Sequence, residues 1–208
     1  MDPRLRIVIP FYNEFEAVKP GLRELTERGF LADVMPVQGP CVHNNRNLGI
    51  NGGASQATWQ TPAKGYSHFL FIDSDISFGM MHLEAALKAD APVVTLPYLG
   101  HEADGTYQVG EMNMDYHIVK KYSQDERGQR HVTYTGAGFL LVKAEVFPML
   151  RFPWFHHSFI TLGDESFSVG EDLVFCRKLM NAGFPILCDF DYPVGHRLRK
   201  LEHFDVSF

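Results

Sequence analysis

The residues with the most evident chemical potential in this 208-residue sequence are Asp73 and Asp75, two carboxylates separated by Ser74. Residues two apart on an extended chain point to the same side, and two anions there repel unless something positive lies between them. A hard divalent cation bound through carboxylate oxygen would supply that charge, while a plain turn or helix cap built from Asp is the competing reading. A second acidic pair, Glu171-Asp172, follows Gly170 at the start of an apolar-periodic stretch. Acids in a first helical turn are what the helix dipole favours, so their type alone does not assign them chemistry. Arg46 falls near the start of a segment with helical pattern, where a cation opposes the dipole; either an anion or carboxylate is close to it, or it is a solvated surface residue. Gly136-Ala137-Gly138 interrupts an apolar run, which marks a bulge or a close approach of backbone to a ligand. Phe152, Trp154, Phe155, His156, His157, Phe159 and Phe167 crowd into residues 151–170, which read as an irregular loop. Such a density of aromatics makes a stacking surface or fills a core.

The elements that must position these residues follow from hydrophobic pattern. Phe69-Leu70-Phe71-Ile72 is a short apolar run bounded by polar residues, as in a strand covered on both faces, and it delivers Asp73 and Asp75 to its C-terminal end. Ligands of open α/β sheets collect at that end. Leu5-Arg6-Ile7-Val8-Ile9, closed by Pro10, predicts a first strand ending at Tyr12 and Glu14. Residues 14–28 predict a helix disturbed by Pro20 and Gly21, and residues 30–37 a second strand. Residues 39–53 read as a polar loop overlapping a short helix over 44–60. A helix over 80–89 and a strand over 92–96 come next, implying a parallel crossover. Residues 101–130 lose the rhythm and suit a hairpin excursion or a flap. A strand-like run over 131–142, a short helix over 143–150, a helix from Gly170 to Asn181 stopped by Gly183, and a strand over 186–189 complete the pattern. No internal repeat interrupts this order.

Composition narrows the class. A 45% hydrophobic chain of this length buries about 70% of its unfolded surface, enough for one core, so a single domain over residues 1–208 is expected. A formal charge of −6 opposes a grip on nucleic acid through bulk electrostatics. Cys41, Cys176 and Cys188 are odd in number and widely spaced, which fits neither a disulfide framework nor a Cys-x-x-Cys metal site, and suits a reducing cytoplasm. No apolar stretch reaches the roughly 18 residues of a membrane span.

In this order, the pieces resemble a nucleotide-sugar-dependent glycosyltransferase of the GT-A fold, in its compact phage or viral form, over nearly the whole chain. The resemblance implies an α/β architecture with a mostly parallel, Rossmann-like sheet, flanking helices and a small antiparallel excursion. It implies that Tyr12 stacks on the donor base and Glu14 hydrogen-bonds it, and that Asp73-Ser74-Asp75 is the Asp-x-Asp motif, Asp75 binding a metal and Asp73 contacting donor or metal. By the same resemblance Gly136, Ala137 and Gly138 form the loop near the donor sugar, His196 completes the metal site, and Asp172, with Glu171 in reserve, is the catalytic base of an inverting transfer. Arg46 or Arg197 then adds positive charge at the diphosphate, manganese is the expected ion and magnesium the other candidate, and the donor is a UDP-sugar carrying glucose or a related hexose. The acid that usually follows the second strand and helps hold the base has no counterpart between Val37 and Gly53.

The acceptor is expected to be a glycan or small hydroxylated molecule, met by Trp154, His156 and His157. A hydroxymethylated base in phage DNA is the alternative, suggested by Arg197, Arg199 and Lys200 together with a loop able to receive a flipped base. A nucleotidyltransferase would share sheet and metal, but the turn after the first strand is Phe11-Tyr12-Asn13-Glu14, without the glycines that cradle phosphate. A non-catalytic nucleotide-sugar-binding module is the third class.

Overall fold

The computed structural model describes residues 4–52, 61–100, 104–162 and 165–197. In chain order these form β1 (Leu5–Phe11), α1 (Lys19–Glu27), β2 (Ala32–Gln38), α2 (Val42–Asn51), β3 (His68–Ile72), β4 (Ile76–Ser77), α3 (Met80–Lys88) and β5 (Val93–Thr95). The second half holds β6 (Thr106–Met112), β7 (Ile118–Ser123), β8 (Gln129–Val132), β9 (Tyr134–Thr135), β10 (Phe139–Lys143), β11 (Ser158–Leu162), β12 (Glu165–Val169), α4 (Glu171–Asn181), β13 (Ile186–Asp189) and β14 (Gly195–His196). A short 3-10 helix, Ala144–Met149, follows β10.

One seven-stranded sheet organises the molecule, in the order β2-β1-β3-β10-β5-β13-β8. β1 pairs in parallel with β2 and β3, and β13 with β5. β10 runs antiparallel to both β3 and β5, so those two strands share a direction. The C-terminal ends of β1, β2, β3, β5 and β13 therefore meet along one edge, and the antiparallel β10 brings its N-terminal approach, Gly136 to Gly138, to the same edge. The central strands are buried on both faces: Phe69, Leu70, Phe71 and Ile72 are all inaccessible to solvent, as the unbroken apolar run requires.

Several local readings change. Pro20 stands in the first turn of α1, where its missing amide is an orphan in any case, so it begins the helix and does not disturb it. Residues 101–130 resolve, where described, into the β6–β7 hairpin, which adds β9 to make a small antiparallel sheet, and the edge strand β8. Residues 151–170 hold a second hairpin, β11–β12. The 44–60 helix is α2, two residues earlier at its start and closed at Gly52 with φ +78°; residues 53–60 lie outside the described part.

α2 lies close against β1 because Gly49 faces Val8: a Cβ at Gly49 would sit 2.2 Å from a Val8 methyl carbon. Gly49→Ala sets a helix-propensity gain of about 1 kcal/mol against an overpacking loss of about 1–3 kcal/mol. Urea denaturation should show a net loss of stability, with favourable coupling to Val8→Ala in a double-mutant cycle. A stabilised Gly49→Ala would contradict this packing.

Candidate functional site

Arg46 is the centre of the site. It leaves the middle of α2, is 1% exposed, and reaches the sheet edge with its guanidinium inside three carboxylates. Nη2 donates to Asp73 Oδ1 at 2.7 Å, and Nη1 donates to Asp172 Oδ1 at 2.8 Å and to Glu171 Oε1 at 3.0 Å. Asp73 is the first residue after β3, while Glu171 and Asp172 open α4, whose N-terminal dipole favours their charge. Burial alone would lower the Arg46 pKa, but Asp172, Asp73 and Glu171 together outweigh it and raise it. Burial likewise pushes the Asp172 carboxyl up to about 6 against the pull of Arg46, with Glu171 and Asp73 adding to the rise and the Ala137 amide opposing it. Its side chain keeps 29% exposure, so a substrate can reach it. Arg46 Nε has no hydrogen-bond partner among the described residues, an expense tolerated at few buried sites.

The aromatic segment supports this arrangement from behind. Asn47, next to Arg46, exchanges two hydrogen bonds with the Phe155 backbone, its amide donating to the carbonyl at 2.7 Å and its carbonyl accepting from the N–H at 3.1 Å. The Phe155 ring stacks on Phe175 of α4 at 4.2 Å between centroids and lies 5.4 Å from the Arg46 guanidinium. Trp154 is 1% exposed, donates to the Phe147 carbonyl and packs on that ring, so it is a core residue and the expectation that it meets an acceptor is corrected. His156 turns its Nδ1 to Lys178 Nζ at 3.2 Å. His157 is half exposed and meets Glu171 Oε2 at 3.2 Å, its ring edge-on to His43.

The other acid of the first motif goes elsewhere. β14 pairs antiparallel with β4, directly after Asp75, with His196 opposite Ile76. His196 Nδ1 donates to the Leu99 carbonyl at 2.6 Å, and its Nε2, 3.4 Å from Asp75 Oδ2, donates to that carboxylate when the ring is protonated and is an acceptor when it is not. The hydrogen bond to Asp75 raises the His196 pKa, burial opposes it, and the Leu99 carbonyl adds to the rise. One carboxylate oxygen beside an imidazole nitrogen whose other nitrogen is tied to a carbonyl is a donor set that fits a divalent ion, imidazole favouring manganese over magnesium. Among the described residues no three of His, Cys, Asp and Glu gather into a metal-holding group. Of the expected trio, Asp73 bonds Arg46 while Asp75 and His196 face each other.

Gly136 and Gly138 make room for Tyr98: a Cβ at Gly136 would sit 2.0 Å from the Tyr98 hydroxyl, and one at Gly138 2.6 Å from the ring. The Tyr98 hydroxyl accepts the Gly138 N–H at 3.1 Å, and burial drives its pKa well up. Its ring also backs His196 edge-on at 5.3 Å. No signal in the sequence links Tyr98 to these glycines, or Asn47 to Phe155.

Two hollows of about 290 and 300 Å³ share Tyr12, Ser74 and Asp75 along the strand ends. Glu14 and Arg197 line the first; Arg46, Asp73, Glu171 and Asp172 line the second. Tyr12, at 65% exposure, stands at their common rim. Arg199 and Lys200 lie outside the described residues.

No protein-family model matches this sequence, and no curated protein does. Solved structures do. Protein A197 from STIV matches 97% of this chain and 99% of its own at TM-score 0.57 and 16% identity. GalNAc-T7, solved with UDP, GalNAc and Mn2+, matches 95% of this chain at TM-score 0.58 and 14% identity; the chain spans 44% of it. The fold is GT-A-like. The catalytic domain of Drosophila β1,4-galactosyltransferase 7, in complex with xylobiose, covers 95% of this chain and is covered over 71% of its own length, at TM-score 0.52 and 14% identity. At such identities the likeness is one of fold, and the chemistry must be argued from the site. Among the described residues no helix is long and apolar enough to cross a membrane.

Removing Arg46 should leave three carboxylates facing one another without a cation. Arg46→Met, which keeps most of the stem, should lose about 3–5 kcal/mol of stability at pH 7, the usual penalty for breaking a buried pair by deleting one partner. The deficit should shrink as pH falls from 7 to 5, because protonating Asp172 removes one of the repelling charges. A loss below about 1 kcal/mol, flat with pH, would show that the cluster does not depend on Arg46.

Proposed function

We propose that this chain is a metal-dependent glycosyltransferase that moves a hexose from a UDP-sugar to an acceptor hydroxyl with inversion. The observation that carries the reading is the division of labour at one sheet edge: Arg46 holds Asp73, Glu171 and Asp172, while Asp75 faces His196 beside a cleft of about 300 Å³. GT-A-like neighbours solved with UDP and manganese, or with manganese, UDP-Gal and xylobiose, support it. The reading takes the chain as one catalytic domain, supported by a sheet whose strands run from Leu5 to Asp189.

In this mechanism Tyr12 offers its exposed ring to the base, and Glu14 accepts a hydrogen bond from it. Arg197, in the same hollow as Glu14, meets the diphosphate. Asp75 and His196 would hold manganese, or magnesium. Such an ion supplies charge neutralisation for the departing diphosphate. Arg46 orients Asp73 toward the donor and keeps both acids of α4 in place. Glu171 is held between Arg46 and His157, and Asp172, the acid whose carboxyl burial pushes up, is the base in this reading. With its pKa lifted to about 6, Asp172 is ionised at neutral pH yet basic enough to accept the acceptor proton. Attack from the face opposite the leaving diphosphate inverts the anomeric centre.

Screening UDP-hexoses with manganese should reveal a donor that raises the melting temperature and is turned over, with turnover abolished by excess chelator. Asp172→Asn should bind UDP normally and lose two or more orders of magnitude in kcat, the size expected for a general base. In the wild type, kcat/KM should fall about tenfold per pH unit below about 6, as Asp172 takes up its proton. An inactive Glu171→Gln beside a near-normal Asp172→Asn would exchange the two roles. The absence of any UDP or UDP-sugar binding would sink the reading.

A further inference from the structure

Asp172 stands in the wall between two hollows. On one side is the 300 Å³ cleft described above. On the other is a hollow of about 170 Å³, reached past Gln108 and Ile118 of the β6–β7 hairpin and walled by Tyr134 and Leu173. Of the described lining residues, the two hollows share only Glu171 and Asp172. The geometry points to this second hollow as the acceptor site, built for a single neutral, hydroxyl-bearing ring with an apolar face: a glycoside and not a polyanion. The inference rests on the glycosyl-transfer reading and adds to it the place and the charge class of the acceptor.

A base must reach the acceptor hydroxyl while facing the donor, and residues that line both hollows meet that condition. Charge then selects the occupant. The described lining of the smaller hollow contains no Lys, Arg or His, and its inner end carries two carboxylates. A phosphate backbone entering here would find two carboxylates already paired with Arg46 and no cation in the described lining, where binding of nucleic acid relies on surplus cations. The walls suit a sugar instead. Ile118 and Leu173 give apolar surface for the C–H face of a ring, with the buried Tyr134 behind them, and Gln108 gives a polar group for its hydroxyl edge, the usual mixture of a small-molecule pocket. A volume of 170 Å³ is about half the lower end of drug-sized sites, which run from about 300 Å³, and holds one ring with the rest of a larger acceptor outside.

The wall is also tied to the base. Arg177 lies on α4, the helix that begins with Glu171 and Asp172, and is 5% exposed. It donates to the Asn113 carbonyl at the hairpin tip, and its guanidinium lies 4.9 Å from the Tyr116 ring centroid. One helix thus holds both the proton acceptor and the hairpin that shapes the hollow, so their spacing is set within a single packed unit.

The test fills the hollow from its exposed side. Ile118 is 41% exposed, so Ile118→Trp adds bulk over the pocket without entering the core. Saturation-transfer NMR would follow 4-nitrophenyl glucoside, galactoside and xyloside with UDP and manganese present, while calorimetry follows UDP. At least one glycoside should bind the wild type, and Ile118→Trp should weaken it tenfold or more with UDP affinity within twofold. Gln108→Ala, which removes a polar contact and fills nothing, should weaken the same glycoside several-fold and keeps the test open if the tryptophan variant is unstable. Glycoside binding unchanged in both variants, no glycoside bound although UDP binds, or preferred binding of a hydroxymethylcytosine oligonucleotide would each overturn the inference while leaving the transferase reading standing. Loss of UDP binding in the wild type would remove both.

Discussion

The site depends on one buried cation. Taking a guanidinium out of water is expensive, and only the three carboxylates around Arg46 make its burial tolerable; equally, three acids could not converge without it. Because the acids come from the exit of β3 and the start of α4, and the arginine from α2, satisfying these charges also fixes how the three elements meet. Asn47 adds a second tie through Phe155, whose ring continues the packing into α4. Buried polar groups that are fully engaged specify one arrangement in a way that apolar packing does not.

A second constraint follows from sheet topology. Placing the antiparallel β10 between β3 and β5 brings a chain approach, and not another exit, to the edge where the parallel strands end. Its glycines let Tyr98 lie against the backbone, and Tyr98 in turn backs His196. The Asp75–His196 pair is therefore supported from β5 and β10, while the Asp73–Arg46–Asp172 group is supported from α2 and α4. Two acids separated by one residue in sequence serve two different neighbourhoods.

Elements defined by apolar runs or by clear stops were legible in the sequence. β3 reads directly from Phe69 to Ile72, and α4 from its acidic first turn to Gly183, because burial and capping act on adjacent residues. α2 was harder, since it buries Asn45, Arg46, Asn47 and Asn51, and a helix with polar residues inside resembles a loop. The β6–β7 hairpin was one of two readings of residues 101–130, whereas β11–β12 escaped because residues 151–170 read as an irregular aromatic loop. The clustered acids and Arg46 were found as candidates, but their division was not: that Asp73 turns to Arg46 and Asp75 to His196 depends on contacts between residues 27 and 121 positions apart, which no local pattern records. Trp154 shows the converse, as an aromatic cluster signals core and binding surface equally until burial is known.

In the function proposed above, Arg46 takes Asp73, Glu171 and Asp172 out of contention for a metal, which leaves the ion to Asp75 and His196. Crystals grown with manganese and UDP, measured at the manganese absorption edge, test it most directly. The account predicts one anomalous peak in coordination contact with Asp75 and His196 Nε2, with Arg46 still bonded to Asp73. A peak among Asp73, Glu171 and Asp172, with Arg46 displaced, would contradict it.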